Sequence, residues 1–159
     1  MMSVKLQARK SQELMQILLV EDNYNDVLLI QRAFRKAKIE PQMSIVDDGD
    51  KAISYLSRDG KYADREQYPL PSLILLDLKM PRLSGLEVLA WIRQQPELNR
   101  LPVVVLTSSQ EDSDLAQAYD LGANSYLVKP LDFQNFVSLI ELINAYWFKL
   151  NQRPHLSFS

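Results

Sequence analysis

Three short apolar runs punctuate the chain: Ile17-Leu18-Leu19-Val20, Leu73-Ile74-Leu75-Leu76 and Val103-Val104-Val105-Leu106. None alternates with polar residues, and none is long enough for a typical helix. Such runs suit strands buried on both faces, as a parallel sheet requires. Two weaker strands, Met43-Ser44-Ile45-Val46 and Ser125-Tyr126-Leu127-Val128, fill the gaps. Between the strands the apolar spacing becomes helical. Val27, Ile30, Phe34 and Ala37 share one helical face; Leu86, Leu89, Ala90 and Ile92 precede the breaker Pro96; Leu115, Ala118 and Leu121 precede Gly122, a helix terminator. A short helix covers residues 50–57. A last helix starts at the N-cap Asp132 and runs to about Leu150. Five strands alternating with five helices predict an α/β fold, a doubly wound parallel sheet with right-handed crossovers. One domain spans residues 14–150, with residues 1–13 expected as a loosely held arm and residues 151–159 as a tail. Residues 59–72 read as a long polar loop.

Composition narrows the chemistry. The 159 residues suffice for one domain with a sizeable core. The net charge of -2 gives no bulk attraction to nucleic acid. Cysteine is absent, which excludes disulfides and thiolate metal sites. The single histidine, His155, lies in the polar tail, against a Ser-His-Asp triad or a multi-histidine metal site. The N-terminus lacks the apolar core of a signal peptide and no stretch is apolar enough to span a membrane, so the cytoplasm is the expected location.

In an open parallel sheet, ligands gather beyond the carboxyl ends of the strands. Those ends here carry Glu21-Asp22, Asp77, Thr107-Ser108 and Lys129-Pro130. Taken singly, Glu21 or Asp22 reads equally well as a helix cap, Lys129 as a surface lysine and Thr107 as a turn former. Their joint occurrence, in order, on one sheet edge is the signal. Three close carboxylates repel one another, and a hard divalent cation with oxygen ligands relieves that. Asp77 can then serve as a nucleophile that forms an aspartyl phosphate. The metal and Lys129 can neutralise the transferring group, and Thr107 can hydrogen-bond a phosphate oxygen.

The motifs Leu19-Val20-Glu21-Asp22-Asn23, Leu76-Asp77-Leu78-Lys79-Met80-Pro81, Leu106-Thr107-Ser108 and Val128-Lys129-Pro130 resemble those of response-regulator receiver domains. Gly85 and Gly122-Ala123 fit the same pattern, and the resemblance covers residues 14–148. It implies a flavodoxin-like receiver fold with strand order 2-1-3-4-5 and makes Asp77 the phosphoacceptor. Asp22 and Asp77 would bind Mg²⁺ or Mn²⁺ directly, Glu21 partly through water, and the main-chain carbonyl of Lys79 would add a ligand. Thr107 and Lys129 would contact the phosphoryl group, and Thr107 with Tyr126 would form the conformational switch. The Lys129–Pro130 bond is expected to be cis. Lys79 and Ser109 stand where this family tunes the lifetime of its phosphorylated state. The loop 59–72 and the long last helix further resemble the small receivers that partner cyanobacterial phytochromes. That implies a sensor histidine kinase as phosphodonor, with a phytochrome as the candidate.

No output domain follows the fifth helix in this sequence, so output is expected through protein binding rather than DNA binding. The last helix carries apolar residues on more than one face. Phe136, Ile140, Ile143, Trp147 and Phe148 are therefore candidate homodimer contacts; the alternative is that the extra aromatics fold back on the domain's own core. A flavodoxin-like cofactor protein would need a Ser/Thr/Gly-rich loop after the first strand, where Glu21-Asp22 instead repels phosphate. An aspartate-nucleophile phosphatase would need a second aspartate at position 79, where a lysine stands. A receiver-fold scaffold that is never phosphorylated remains the other reading.

Overall fold

The computed structural model describes residues 15–154; the arm at residues 1–13, most of the tail and His155 lie outside them. Five parallel strands form one sheet: β1 Gln16–Val20, β2 Gln42–Val46, β3 Leu73–Leu76, β4 Val103–Thr107 and β5 Ser125–Val128. Their spatial order is β2-β1-β3-β4-β5. The helices are α1 Tyr24–Lys36, α2 Gly49–Ser57, α3 Gly85–Gln94, α4 Asp112–Asp120 and α5 Phe133–Ile143.

Alternation along the central strands explains why they read as unbroken apolar runs. Leu18, Val20, Ile74, Leu76, Val103 and Val105 enter a layer with Tyr55, Leu56, Val88, Leu89, Ile92 and Ala118 from α2, α3 and α4. Ile17, Leu19, Leu73, Leu75, Val104 and Leu106 enter the opposite layer with Val27, Ile30, Phe34, Phe136, Val137 and Ile140 from α1 and α5. Each of these central-strand residues is covered by one of the two helix layers, which keeps the runs apolar on both faces.

Caps fix the helix starts at the sheet edge. The Asn23 side chain accepts from the Asp26 N–H, Asp48 from Lys51 and Asp132 from Gln134, while Ser84 and Glu87 form a reciprocal capping box. Gly85 is required by close approach. A Cβ there would lie 2.8 Å from Leu78 Cα, and its N–H donates to the Leu78 carbonyl at 3.0 Å. The first turn of α3 thereby braces the backbone immediately after Asp77.

Three expectations are corrected. Residues 59–72 are more than a polar loop: Gly60–Ala63 form a 3₁₀ turn, and Tyr62 and Tyr68 pack on the buried Tyr55 with centroids 5.1 and 6.0 Å away. The Tyr55 hydroxyl donates to the Pro69 carbonyl at 2.7 Å and shares a 2.9 Å bond with Ser44, while Arg65 donates to the Leu56 and Tyr68 carbonyls.

The last helix changes geometry after Ile143. Asn144–Leu150 are π-helical, and the Asn151 N–H reaches the Tyr146 carbonyl five residues back. The wider turn puts Phe148, five residues after Ile143, into the layer beneath α1 and α5, with Trp147 packed beside it. Phe136, Ile140, Ile143 and Phe148 are 1%, 0%, 3% and 9% exposed, so these four are core residues and not dimer contacts. The large apolar residues that α5 and its extension leave exposed are Phe133, Leu142, Tyr146 and Leu150.

The Lys129–Pro130 bond is trans, as is every other peptide bond among the described residues. The trans isomer is the lower-energy form of an X–Pro bond. Parallel pairing alone, Lys129 N–H to the Thr107 carbonyl at 2.8 Å, aims Lys129 at the strand ends.

Candidate functional site

Four of the five strand ends deliver their side chains to one cavity of about 530 Å³, lined by Asp22, Asn23, Tyr24, Asn25, Asp26, Asp77, Lys79, Thr107, Ser108 and Lys129. Glu21 is buried beside these residues, 1% exposed and paired with Lys129. Carboxylate oxygens of Glu21, Asp22 and Asp77 lie within 4.8 Å of one another. Asp77 is held there by the sheet: its N–H donates to the Val20 carbonyl at 3.0 Å, extending the pairing of β3 with β1 past its last residue.

Lys129 is the positive centre. Its ammonium lies 2.5 Å from Glu21, 2.8 Å from Asp26 and 3.3 Å from Asp77, and its side chain is almost fully buried. Burial alone would lower its pKa, but the hydrogen bonds to Asp26 and Glu21 and the charges of Asp77 and Glu21 outweigh that and raise it. Lys129 is therefore a fixed cation. Glu21 is pushed up to about 7, first by burial and then by the Asp77 charge, against the opposing pull of the Lys129 bond. Its Oε2 also accepts the Asn23 N–H at 3.1 Å.

The charge balance argues for a cation. Glu21, Asp22, Asp26 and Asp77 supply four carboxylates, and Lys129 answers one of them. With one lysine among four carboxylates the site is short of positive charge, and an all-oxygen donor set of this kind suits a hard divalent ion.

Thr107 is fully buried at the end of β4, and its Oγ1 accepts the Ser109 N–H at 3.3 Å. The half-buried Tyr126, on β5, donates its hydroxyl to the Ser109 carbonyl at 2.9 Å. Thr107 and Tyr126 thus hold the same loop from two sides.

The structure brings together Glu21, Asp22, Asp77, Thr107 and Lys129 from the strand ends, with Lys79, which only the family resemblance pointed to, lining the same cavity. It adds two residues that the pattern missed. Asp26 looks like an ordinary first-turn acid that complements the helix dipole, and its distance of four residues from Asp22 was the available clue. Asp114, in the first turn of α4, accepts from Ser109 Oγ at 2.5 Å and pairs with Lys79 at 2.9 Å. Nothing in its local sequence distinguishes it from Asp112.

This fold and cluster agree with what comparison finds. The profile of the response regulator receiver domain matches residues 17–141. The chain belongs to the response regulator receiver family. Response regulator Rcp1 of Synechocystis sp. is 40% identical over 138 residues, which cover 87% of this chain and 92% of that protein. The crystal structure of the phosphorylated cyanobacterial phytochrome response regulator RcpA superposes with a TM-score of 0.82 at 37% identity, over 89% of this chain and 99% of that one. The Mn²⁺-bound form of Rcp1 does so with a TM-score of 0.78 at 38% identity, over the same shares of the two chains. The receiver fold with order 2-1-3-4-5 and the response-regulator class are those of this chain.

Proposed function

We propose that this receiver is switched by phosphorylation of Asp77. A carboxylate oxygen of Asp77 attacks phosphorus in line with the donor. The new bond is O–P, the bond broken is N–P of a phosphohistidine, and the imidazole leaves with the electron pair. Lys129 is placed to neutralise a phosphoryl oxygen and Thr107 to donate a hydrogen bond to another. Glu21, Asp22, Asp77 and the Lys79 main-chain carbonyl would hold Mg²⁺ or Mn²⁺, which when bound supplies charge neutralisation of the phosphoryl oxygens. The observation that carries this reading is the cluster itself: three carboxylates within 4.8 Å at the strand ends, with a buried lysine among them.

The donor class is a sensor histidine kinase. That the similar RcpA is a cyanobacterial phytochrome response regulator and the similar RtBRR a bacteriophytochrome response regulator supports a phytochrome as that kinase. The cytoplasm is the compartment proposed for this exchange. A homodimer through the last helix would rest on Leu142, Tyr146 and Leu150, which lie four residues apart on one exposed line. Tyr126 moves with Thr107 on phosphorylation; an unchanged Tyr126 side chain with a phosphoryl mimic bound would exclude that role.

Intact mass after incubation with acetyl phosphate tests the chemistry. A single phosphoryl adduct is expected that requires Mg²⁺ and is lost in Asp77→Asn. An adduct that survives in Asp77→Asn would reassign the acceptor, and none with either acetyl phosphate or a phosphorylated kinase would leave a binding scaffold.

A further inference from the structure

Lys79 lines the cavity beside Asp77, yet its ammonium is turned away from it. It is held at 2.9 Å by Asp114, whose side chain is 11% exposed, while the lysine's own side chain is 60% exposed. The same Asp114 oxygen accepts the Ser109 hydroxyl at 2.5 Å, and Ser109 Oγ accepts the Glu111 N–H at 3.3 Å. Ser109 also takes the Tyr126 hydroxyl on its carbonyl and gives its N–H to Thr107. One carboxylate therefore ties three things: the loop that follows Asp77, the loop that follows Thr107, and the first turn of α4.

Charge decides what happens when the phosphoryl group arrives. The site holds the carboxylates of Glu21, Asp22, Asp26 and Asp77, against one positive charge on Lys129 and two on a divalent cation, which leaves one negative charge in excess. Phosphorylating Asp77 replaces a singly charged carboxylate with a group that carries about two negative charges. Lys129 is already shared among Glu21, Asp26 and Asp77 and is enclosed. Among the described residues lining the cavity, Lys79 is the other cation. Its long, exposed side chain is free to swing, and a dianion outcompetes a single carboxylate for an ammonium.

Resting on the phosphoacceptor reading above, we propose that Lys79 is a phosphoryl-binding residue held in reserve: its ammonium exchanges Asp114 for the phosphoryl group on Asp77, and the exchange releases the first turn of α4. Asp114 is then a positioning residue that sets a threshold. It keeps the resting protein from adopting the released state and makes the phosphoryl group compete for Lys79.

The test uses the full chain with beryllofluoride and Mg²⁺ as the phosphoryl mimic, with bound mimic counted by fluorine NMR. Asp114→Asn removes the competitor and is expected to tighten mimic binding about 2- to 5-fold, the size of an exposed ion pair. Lys79→Gln is expected to weaken binding by a similar factor, and Lys79→Arg to retain it. The double variant should match Lys79→Gln alone, because an amide at position 114 can still accept the Ser109 hydroxyl and only the ion pair to Lys79 is removed. Hydrogen exchange over residues 109–117 supplies a second readout. The mimic should speed exchange there in the wild type, Asp114→Asn should be fast without the mimic, and Lys79→Gln should show no further increase on adding it. A gain from Asp114→Asn that persists in the Lys79→Gln background overturns the proposal. So does unchanged exchange in the wild type with the mimic bound. Absence of bound mimic in the wild type overturns the phosphoacceptor reading first, and this proposal with it.

Discussion

Replacing Phe148 by alanine separates a core role for the end of the last helix from an interface role. Phe148 is 9% exposed and packs in the layer with Ile140 and Ile143, on the π-helical turn. A buried phenylalanine removes on the order of 150 Å² from water, which at about 25 cal/mol per Å² corresponds to roughly 4 kcal/mol. Alanine keeps part of that area, and the segment near the end of the helix can collapse inward. The expected loss is therefore about 3 kcal/mol, the low end for Phe→Ala in a core. Leu142→Ala, at a position 67% exposed, should change stability by no more than about 0.5 kcal/mol. Urea unfolding followed by tryptophan fluorescence, at a low and a high protein concentration, provides the measurement. The Phe148→Ala loss should be the same at both concentrations, because the contact is within one chain. A variant with an unchanged midpoint at low concentration, whose stability no longer rises with concentration, would show that Phe148 belongs to an interface, and the packing argument would fail.

Other substitutions probe the site and the loop. Lys129→Met leaves Glu21 buried beside Asp77 with no counter-charge; without metal, stability should fall by about 3 kcal/mol, and thermal unfolding should show Mg²⁺ raising the midpoint more in the variant than in the wild type. Asp22→Ala removes an exposed carboxylate, so unfolding should be nearly unchanged while calorimetric Mn²⁺ affinity drops at least about tenfold. Tyr55→Phe removes the hydroxyl that joins Ser44 to Pro69 and should cost about 1–2 kcal/mol, read as a lower urea midpoint and faster proteolysis within residues 59–72.

The fold was legible because its central strands have no solvent face. Each residue of Leu73–Leu76 meets a helix layer, so the run stays apolar through its whole length and cannot be mistaken for an amphipathic strand. The strand ends were legible for a related reason. Once a parallel sheet is accepted, the position of Glu21, Asp77, Thr107 or Lys129 along its strand sets where its backbone goes. The tyrosine packing of residues 59–72 was hidden because Tyr55, Tyr62 and Tyr68 follow neither a period of 3.6 nor of 2, and the residues between them are polar. The π-helical turn was hidden for the opposite reason: on an α-helical net Trp147 and Phe148 fall on different faces, which reads as surplus apolar surface. One wider turn accommodates both against the same core.

The electrostatic wiring was the least legible part, and its physics explains why. A carboxylate becomes a site residue through the neighbour it reaches, and that neighbour is usually distant in sequence. Asp26 lies 103 residues from the Lys129 it binds, and Asp114 reaches Lys79 across two loops. Both occupy first turns of helices, where an acid is favoured by the dipole alone, so their second role leaves no mark on the local pattern. Lys129 shows the consequence. Its nearly buried ammonium stands between Glu21, Asp26 and Asp77 and holds the carboxylates together before any metal arrives. A divalent ion then has to complete the cluster rather than assemble it, which keeps Asp77 positioned for attack in the resting protein. The same enclosure fixes Lys129 in place, whereas Lys79, exposed and paired with Asp114, keeps the freedom on which the proposed exchange depends.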